Sequence, residues 1–503
     1  MNFYRNIKTV LQFSMLVIVI CCSTNIIAQH RGDNLSFQGL SFKDNIDVKA
    51  SSMGGAVIAV SGNLFSLFYN PAGLAKIDKI QISISANQYN RHWRENQNYY
   101  ANRNFTSLPF YLEGLYVPKI ENNGKWDGDL YKDTAKYLIN APKLGHDEYD
   151  EEVAQWKNDK SESGLKNISA AIPFSLGERK FVVAAGYYKT QINDFDRNET
   201  FLSPMFQSYD YETGFKRTVN GVDTLNLEWS RFLRSRNGSM NNIVAGISNE
   251  LTENIMLGVG IKIQSGESDD YLSLNRAGDF HLIDAQKFKF YFVDYQKVVA
   301  GTSKFSSTSF NIGAMVNINK VSLGFKIDLP YTLTREWNYT TTEKGIKNTS
   351  KTQSLKDEVK MPATYNFGIS FHPVENFLMA FAYESTPYSS AEFNFGAADT
   401  TFRKWSNQNT LSFGLEYKMF SYLSLMAGYR SIPEVFIPDG AAVKDKGPIS
   451  NSYNIGFSLK TALGCFDFAF EYRSMKYYDS YYSNANYVFE KSSNILIGYT
   501  YSL

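Results

Sequence analysis

Residues 51–77 read SSMGGAVIAVSGNLFSLFYNPAGLAKI, and the place of this stretch decides the fold. It is apolar only in short runs. Gly54, Gly55, Gly62 and the Asn70-Pro71-Ala72-Gly73 turn interrupt it, so it fits neither a long amphipathic helix nor a regular strand. The turn has a mechanism. Pro71 fixes its own φ and pushes Asn70 toward extended geometry, and Gly73 can take a positive φ. Small residues dominate 53–62, so this backbone can lie close against another surface.

Outward from this stretch the period changes to two. Ile80, Ile82 and Ile84 alternate with Gln81, Ser83 and Ser85 from Lys79 on. The same alternation recurs to the last residue. It is visible in Ile255, Leu257, Val259, Ile261 and Ile263, in Tyr365, Phe367, Ile369 and Phe371, and in Ile495, Ile497, Tyr499, Tyr501 and Leu503. In all, fourteen segments read as strands, most of them reaching the about 9–11 residues a tilted strand needs to cross a membrane. Short connections fall near 177–179, 249–254, 319–320, 373–376, 419–421 and 461–464. Long ones fill 91–163, 193–238, 267–304, 332–361, 387–406, 432–449 and 477–490. Short turns on one side and long loops on the other describe an up-and-down transmembrane barrel, and a soluble sandwich does not sort its loops this way.

The two strand faces say which solvent lies outside. One face is Phe, Ile, Leu, Val and Tyr. The other carries Lys262, Lys326, Asp328, Glu384, Glu416, Arg430, Asp467, Glu471 and Arg473, together with Gly246, Gly258, Gly313, Gly324, Gly368, Gly414, Gly428, Gly456 and Gly498. Apolar-out and polar-in suits lipid around the barrel. A ring of glycines inside leaves room for a body in the lumen, although glycine also eases strand twist. The body at hand is 51–77. Tyr187, Tyr188, Tyr383, Tyr429, Tyr472, Tyr477 and Tyr478 gather toward strand ends, as an interface girdle requires.

Composition closes off other classes. The 51 basic and 50 acidic residues leave no basic excess for nucleic acid. After residue 28 no apolar run reaches the length of a spanning helix. Arg5 and Lys8, the apolar run Leu11 to Cys22 and the small residue at Ala28-Gln29 form a signal-peptide pattern over 1–28. A lipoprotein anchor at Cys21 or Cys22 fits less well, because VIVIC lacks the small residues that precede such a cysteine. Cleavage leaves Cys465 alone, so no disulfide framework is expected. The five histidines stand at no metal-ligand spacing, no Walker loop is present, and no Ser–His pair can be nominated. The expectation is no metal, no cofactor and no enzymatic activity.

Residues 51–77 resemble the N-terminal hatch of FadL-type outer-membrane transporters. The resemblance rests on Ser52-Met53-Gly54-Gly55-Ala56 followed at family spacing by Tyr69-Asn70-Pro71-Ala72-Gly73-Leu74, with Pro362-Ala363-Thr364-Tyr365-Asn366-Phe367-Gly368 similar to a late family strand. It implies an all-β, fourteen-stranded barrel over 79–503 plugged by a hatch over 29–78, in the outer membrane of a Gram-negative bacterium. The implied ligand is a hydrophobic small molecule, a long-chain fatty acid or an aromatic hydrocarbon, transported passively past the hatch. Outer-membrane lipid and the barrel-assembly machinery are the other implied partners, and the protein is expected to be a monomer. The last strand, SNILIGYTYSL, resembles the C-terminal assembly signal of outer-membrane barrels, with Leu503 where Phe is usual.

Site candidates follow. Met53, Gly54, Gly55, Asn70, Pro71, Ala72 and Gly73 shape the hatch. Leu64, Phe65, Leu67, Phe68 and Tyr69 either line a ligand pocket or pack the hatch against the wall. In the family a sideways exit lies at a kink in the third strand, which places Gly186 as the candidate here. Phe110, Tyr111, Leu112, Leu115 and Tyr116, in the long 91–163 segment, are candidates for an outer landing groove or a partner surface. The acidic tract His146 to Glu152 reads as a solvated loop. The competing readings are a structural or secretion-associated barrel and a general porin.

Overall fold

Wherever apolar residues alternate, the backbone is extended, and hydrogen bonding closes the strands into one ring. The computed structural model describes residues 43–99, 146–202, 209–210, 214–215, 224–283, 287–345, 348–397, 405–436, 447–480 and 484–503. The signal-peptide segment 1–28 and the groove candidates Phe110, Tyr111, Leu112, Leu115 and Tyr116 lie outside these residues.

The ring is built from β1 (Gln81–Tyr99), β2 (Trp156–Leu176) and β3 (Arg179–Gln191, continuing as Asp194–Leu202). Next come β4 (Thr224–Thr252), β5 (Ile255–Ile283), β6 (Lys287–Ile318) and β7 (Val321–Asp328, continuing as Tyr331–Lys344). These are followed by β8 (Thr349–Met361, continuing as Thr364–Val374), β9 (Phe377–Thr386), β10 (Gln408–Phe420) and β11 (Leu423–Pro433). The last three are β12 (Ile449–Thr461), β13 (Gly464–Ser480) and β14 (Asn484–Ser502). Neighbours in the chain pair antiparallel. β14 pairs with β1 from Ser502↔Gln81 to Asn484↔Tyr99, which leaves the ring without an outer edge. This is a closed, fourteen-stranded antiparallel barrel. Pro330 and Pro362 fall at the breaks in β7 and β8, where a residue with no N–H cannot join the ladder.

The apolar faces point outward. Ile82, Ile172, Ile243, Val259, Phe310, Phe367, Phe413, Ile455 and Ile497 are exposed around the ring, while their strand neighbours Ser83, Ser248, Ser309, Asn366, Ser412, Asn454 and Leu496 are buried inside. Water does not favour such a surface, and lipid does. The band is confined to one end. On β5 it runs from Ile255 to Ile263, although the strand has 29 residues. About ten residues on a tilted strand match the hydrocarbon thickness.

Beyond the band the strands continue where sequence periodicity suggests loops. β5 and β6 stay paired from Ile263↔Thr308 to Ile283↔Lys287, across most of the expected loop 267–304, and the expected loop 332–361 is a paired hairpin. Past the membrane both faces of the wall meet water or protein, so nothing forces the outer face to be apolar. The ladder persists while the pattern that reveals it fades. The girdle also needs one correction. Tyr187, Tyr383 and Tyr429 face outward, but Tyr188 is buried on the lumenal side.

Candidate functional site: a filled lumen and a gap in its wall

Residues 43–78 are short-range structure throughout. Helix α1 (Val48–Ser52) starts at Asp47, whose carboxylate accepts from Lys49 N at 2.9 Å and Ala50 N at 3.2 Å. Helix α2 (Ser66–Tyr69) leads to a 3₁₀ turn over Pro71–Lys76. Asn70 is extended (φ −156°, ψ 103°). Its side chain accepts from Ala72 N at 3.2 Å and donates to Ile58 O at 2.8 Å, tying two parts of the segment together. Gly54, Gly55 and Gly62 have positive φ. Gly73 does not. It lies inside the 3₁₀ turn, and the reason for glycine there is crowding, because a Cβ would sit 2.6 Å from Ser66 Oγ.

The lumenal glycines are the seats of this segment. A Cβ on Gly258 of β5 would lie 2.5 Å from Ala72 N, and one on Gly414 of β10 would lie 2.7 Å from Met53 O. Gly313, Gly324, Gly368, Gly456 and Gly498 likewise face Asn70, Ile58, Ser52 and Val48. Gly428 of β11 meets Gly54 with no side chain between them. A segment that touches the inner faces of so many strands around a closed ring lies inside it.

The hatch candidates pack as wall-facing side chains. Phe65 joins Ala50, Met53, Ala56, Leu378, Ala380, Ala382 and Met426 in one buried cluster. Leu64, Leu67 and Phe68 join Leu74, Ile77, Val182, Ala184, Tyr188 and Val244 in another. Phe68 meets Tyr188 edge-on at 5.4 Å between ring centroids. The Tyr69 hydroxyl accepts from Ile46 N at 3.1 Å, holding the start of the segment to its middle. Polar anchors add direction. Lys49 pairs with Glu416 at 3.1 Å, Lys43 with Glu384, and Asp44 with Lys166. Burial, with the charge of Asp467 beside it, pushes the Asp47 carboxyl up to about 6, so its proton is held more firmly in the seated segment. Toward the other end of the lumen, Ile192, Met240, Phe305, Leu333, Val359, Met361, Trp405 and Val435 form an apolar cluster drawn from several strands.

Among the described residues one part of the wall is not sealed. β2 and β3 pair from Leu176↔Arg179 to Asn167↔Tyr188 and no further, while β2 stays on β1 as far as Trp156 and β3 stays on β4 as far as Leu202. The split begins at a bulge. Ser85 faces Asn167 and Ala86 faces Leu165, so Lys166 is the extra residue, turned into the lumen toward Asp44 with 3% side-chain exposure. Gly186, the kink candidate, is not the break point. It is paired with Ser169 and Val244 and lies under Leu67, whose Cδ2 would be 3.2 Å from an added Cβ. The break comes after Tyr188, and a bulge in the partner strand gives no signal that a strand-by-strand reading could find.

Two connected cavities fill the split. The outer one is about 700 Å³ and the inner one about 240 Å³, and they share Glu162, Ser163, Lys189 and Gln191. Lys160 spans the gap to Asn193 at 2.5 Å and Asn237 at 3.0 Å, and Arg197 lies over the Trp156 ring at 4.8 Å. Among the described residues no group of three or more His, Cys, Asp and Glu side chains is arranged to hold a metal.

Fold and site together define a transmembrane β-barrel whose lumen holds its own N-terminal segment. It has the fold of the FadL-type channels. A Pseudomonas aeruginosa FadL homologue superposes with a TM-score of 0.57 at 12% identity, covering 91% of this chain and 98% of that one. The Pseudomonas putida toluene transporter TodX gives 0.54 at 11%, covering 90% and 97%, and the CymD monoaromatic hydrocarbon channel gives 0.52 at 12%, covering 91% and 98%. No family model and no curated protein matches the chain by sequence.

Proposed function

We propose that this chain is a passive outer-membrane transport protein for hydrophobic small molecules, long-chain fatty acids or aromatic hydrocarbons, and that residues 43–78 are its hatch. The observation that carries the reading is the filled lumen. A polar pore for small solutes needs open water along its axis, and here a segment cut to the glycine ring occupies it. An apolar solute gains nothing from such water, since leaving an apolar site for it costs about 25 cal/mol per Å². A hatch flanked by apolar clusters lets the solute move between buried surfaces. Phe68 and Tyr69, at the seam between segment and wall, are the residues a passing ligand would displace.

The test is uptake. Purified full-length protein is expected to bind palmitate or toluene, with Phe68→Ala or Tyr69→Ala weakening binding severalfold while the barrel stays folded. Recovery of a stoichiometric protein partner with no binding of either probe would overturn the proposal in favour of a secretion-associated barrel.

A further inference from the structure

The split between β2 and β3 has the wrong lining for a bare hydrocarbon. Of the described side chains around the outer cavity only Phe195 is apolar, and the rest are charged, amide or hydroxyl groups. Such a lining keeps its water, and a hydrocarbon entering it would strip hydrogen-bonding groups and offer nothing in return. The level is also specific. Leu165 and Ile168 on β2 are exposed at the rim of the apolar band, and the exposed residues of β2 beyond them are Gly164, Ser163, Ser161, Asp159 and Lys157. The gap therefore opens where acyl chains give way to headgroups.

Two groups in it await a partner. Lys189 is exposed on the outer side of β3 and makes no hydrogen bond or ion pair among the described residues. Glu162 faces the lumenal side and pairs with Lys160 at 2.6 Å through Oε1. Its Oε2 is buried, with no hydrogen-bond partner among the described residues. Both residues line both cavities. The order from the membrane inward is an apolar rim, a cation, then an acceptor.

We infer that the split binds the head of a zwitterionic amphiphile of the phosphoethanolamine type. The tail lies on Leu165 and Ile168, the phosphate meets Lys189, and the terminal ammonium donates to Glu162 Oε2. This rests on the transport reading and narrows its substrate class.

The experiment compares four probes on the full-length protein: hexadecylphosphoethanolamine, hexadecylphosphocholine, palmitate and toluene. The phosphocholine keeps the charges and the chain but has no N–H to donate. The phosphoethanolamine is expected to bind about tenfold more tightly than the phosphocholine, and Glu162→Gln is expected to erase that preference. Lys189→Ala is expected to weaken both phosphate amphiphiles severalfold and to leave toluene unchanged. Unaltered toluene binding also shows that each variant is folded. Competition by phosphatidylethanolamine vesicles would identify the membrane as the source of the head, and competition only by the single-chain probe would identify a free amphiphile. Equal binding of the two phosphate amphiphiles, or a preference that survives Glu162→Gln, overturns the inference while palmitate and toluene binding still uphold the transport reading. Failure of all four probes overturns both.

Discussion

A methyl group at residue 258 would sit 2.5 Å from the backbone nitrogen of Ala72, well inside contact distance. Nothing there is a flexible side-chain tip that could move aside; the neighbours are the backbone atoms of the Pro71-Ala72 turn. Gly164, on the unsealed part of β2, has nothing within 4 Å of the same added atom. The two glycines therefore separate seating from strand geometry. Gly258→Val is expected to weaken seating of 43–78 by about 3 kcal/mol, the scale of overpacking in a closed interior. Gly164→Val is expected to change it by less than about 0.5 kcal/mol. Protease cleavage within 43–78 of the folded barrel reads the difference, and equal resistance of the two variants would refute the seating role of Gly258. Gly258 and the other seat glycines were legible in the sequence as a row on the polar face, whereas Gly164 was not part of it. The seats themselves were not, because which glycine meets Ala72 and which meets Gly54 depends on how the ring closes. The positive φ expected at Gly73 also fails for a local reason, since crowding by Ser66 already demands glycine there.

Elements show where periodicity carries information and where it stops. Inside the membrane band lipid demands an apolar residue at every second position, so strands such as Ile255–Ile263 and Tyr365–Phe371 read directly from the chain. Above it the demand lapses, and β4, β5 and β6 run on for most of their 29 to 32 residues without announcing themselves. The split between β2 and β3 was less legible still. It depends on a one-residue bulge at Lys166 whose effect is felt in the neighbouring strand. Its consequence is measurable. Between Trp156 and Lys166, β2 has a strand partner among the described residues only in β1, so alternate amides face the gap. Those amides are expected to exchange hydrogen at least tenfold faster than their neighbours, whereas between Asn167 and Leu176, paired on both sides, no alternation is expected. Uniform protection from 156 to 176 would show that the wall is sealed in solution.

At the scale of the whole molecule, a closed wall and a filled lumen are separate inventions, and the protein can be asked to keep one without the other. The wall owes little to the segment. Each strand is hydrogen-bonded to the next, and the outer face is solvated by lipid whether or not 43–78 is present. The lumenal face, by contrast, is polar, with Lys262, Lys326, Asp328, Glu384, Glu416, Arg430, Glu471 and Arg473 around it. Emptied, it would fill with water rather than collapse. Deleting 51–77 is therefore expected to leave a folded barrel and to convert a protein with almost no steady current in planar bilayers into one with sustained ionic conductance. The intact chain and the deletion differ only in the object in the lumen, so the comparison isolates it. Comparable steady conductance in the two would mean that ions already pass the seated segment. That result would replace the hatch with a porin whose N-terminal segment merely narrows the channel. A silent deletion would place the barrier instead in the apolar cluster around Met240, Phe305, Val359 and Trp405.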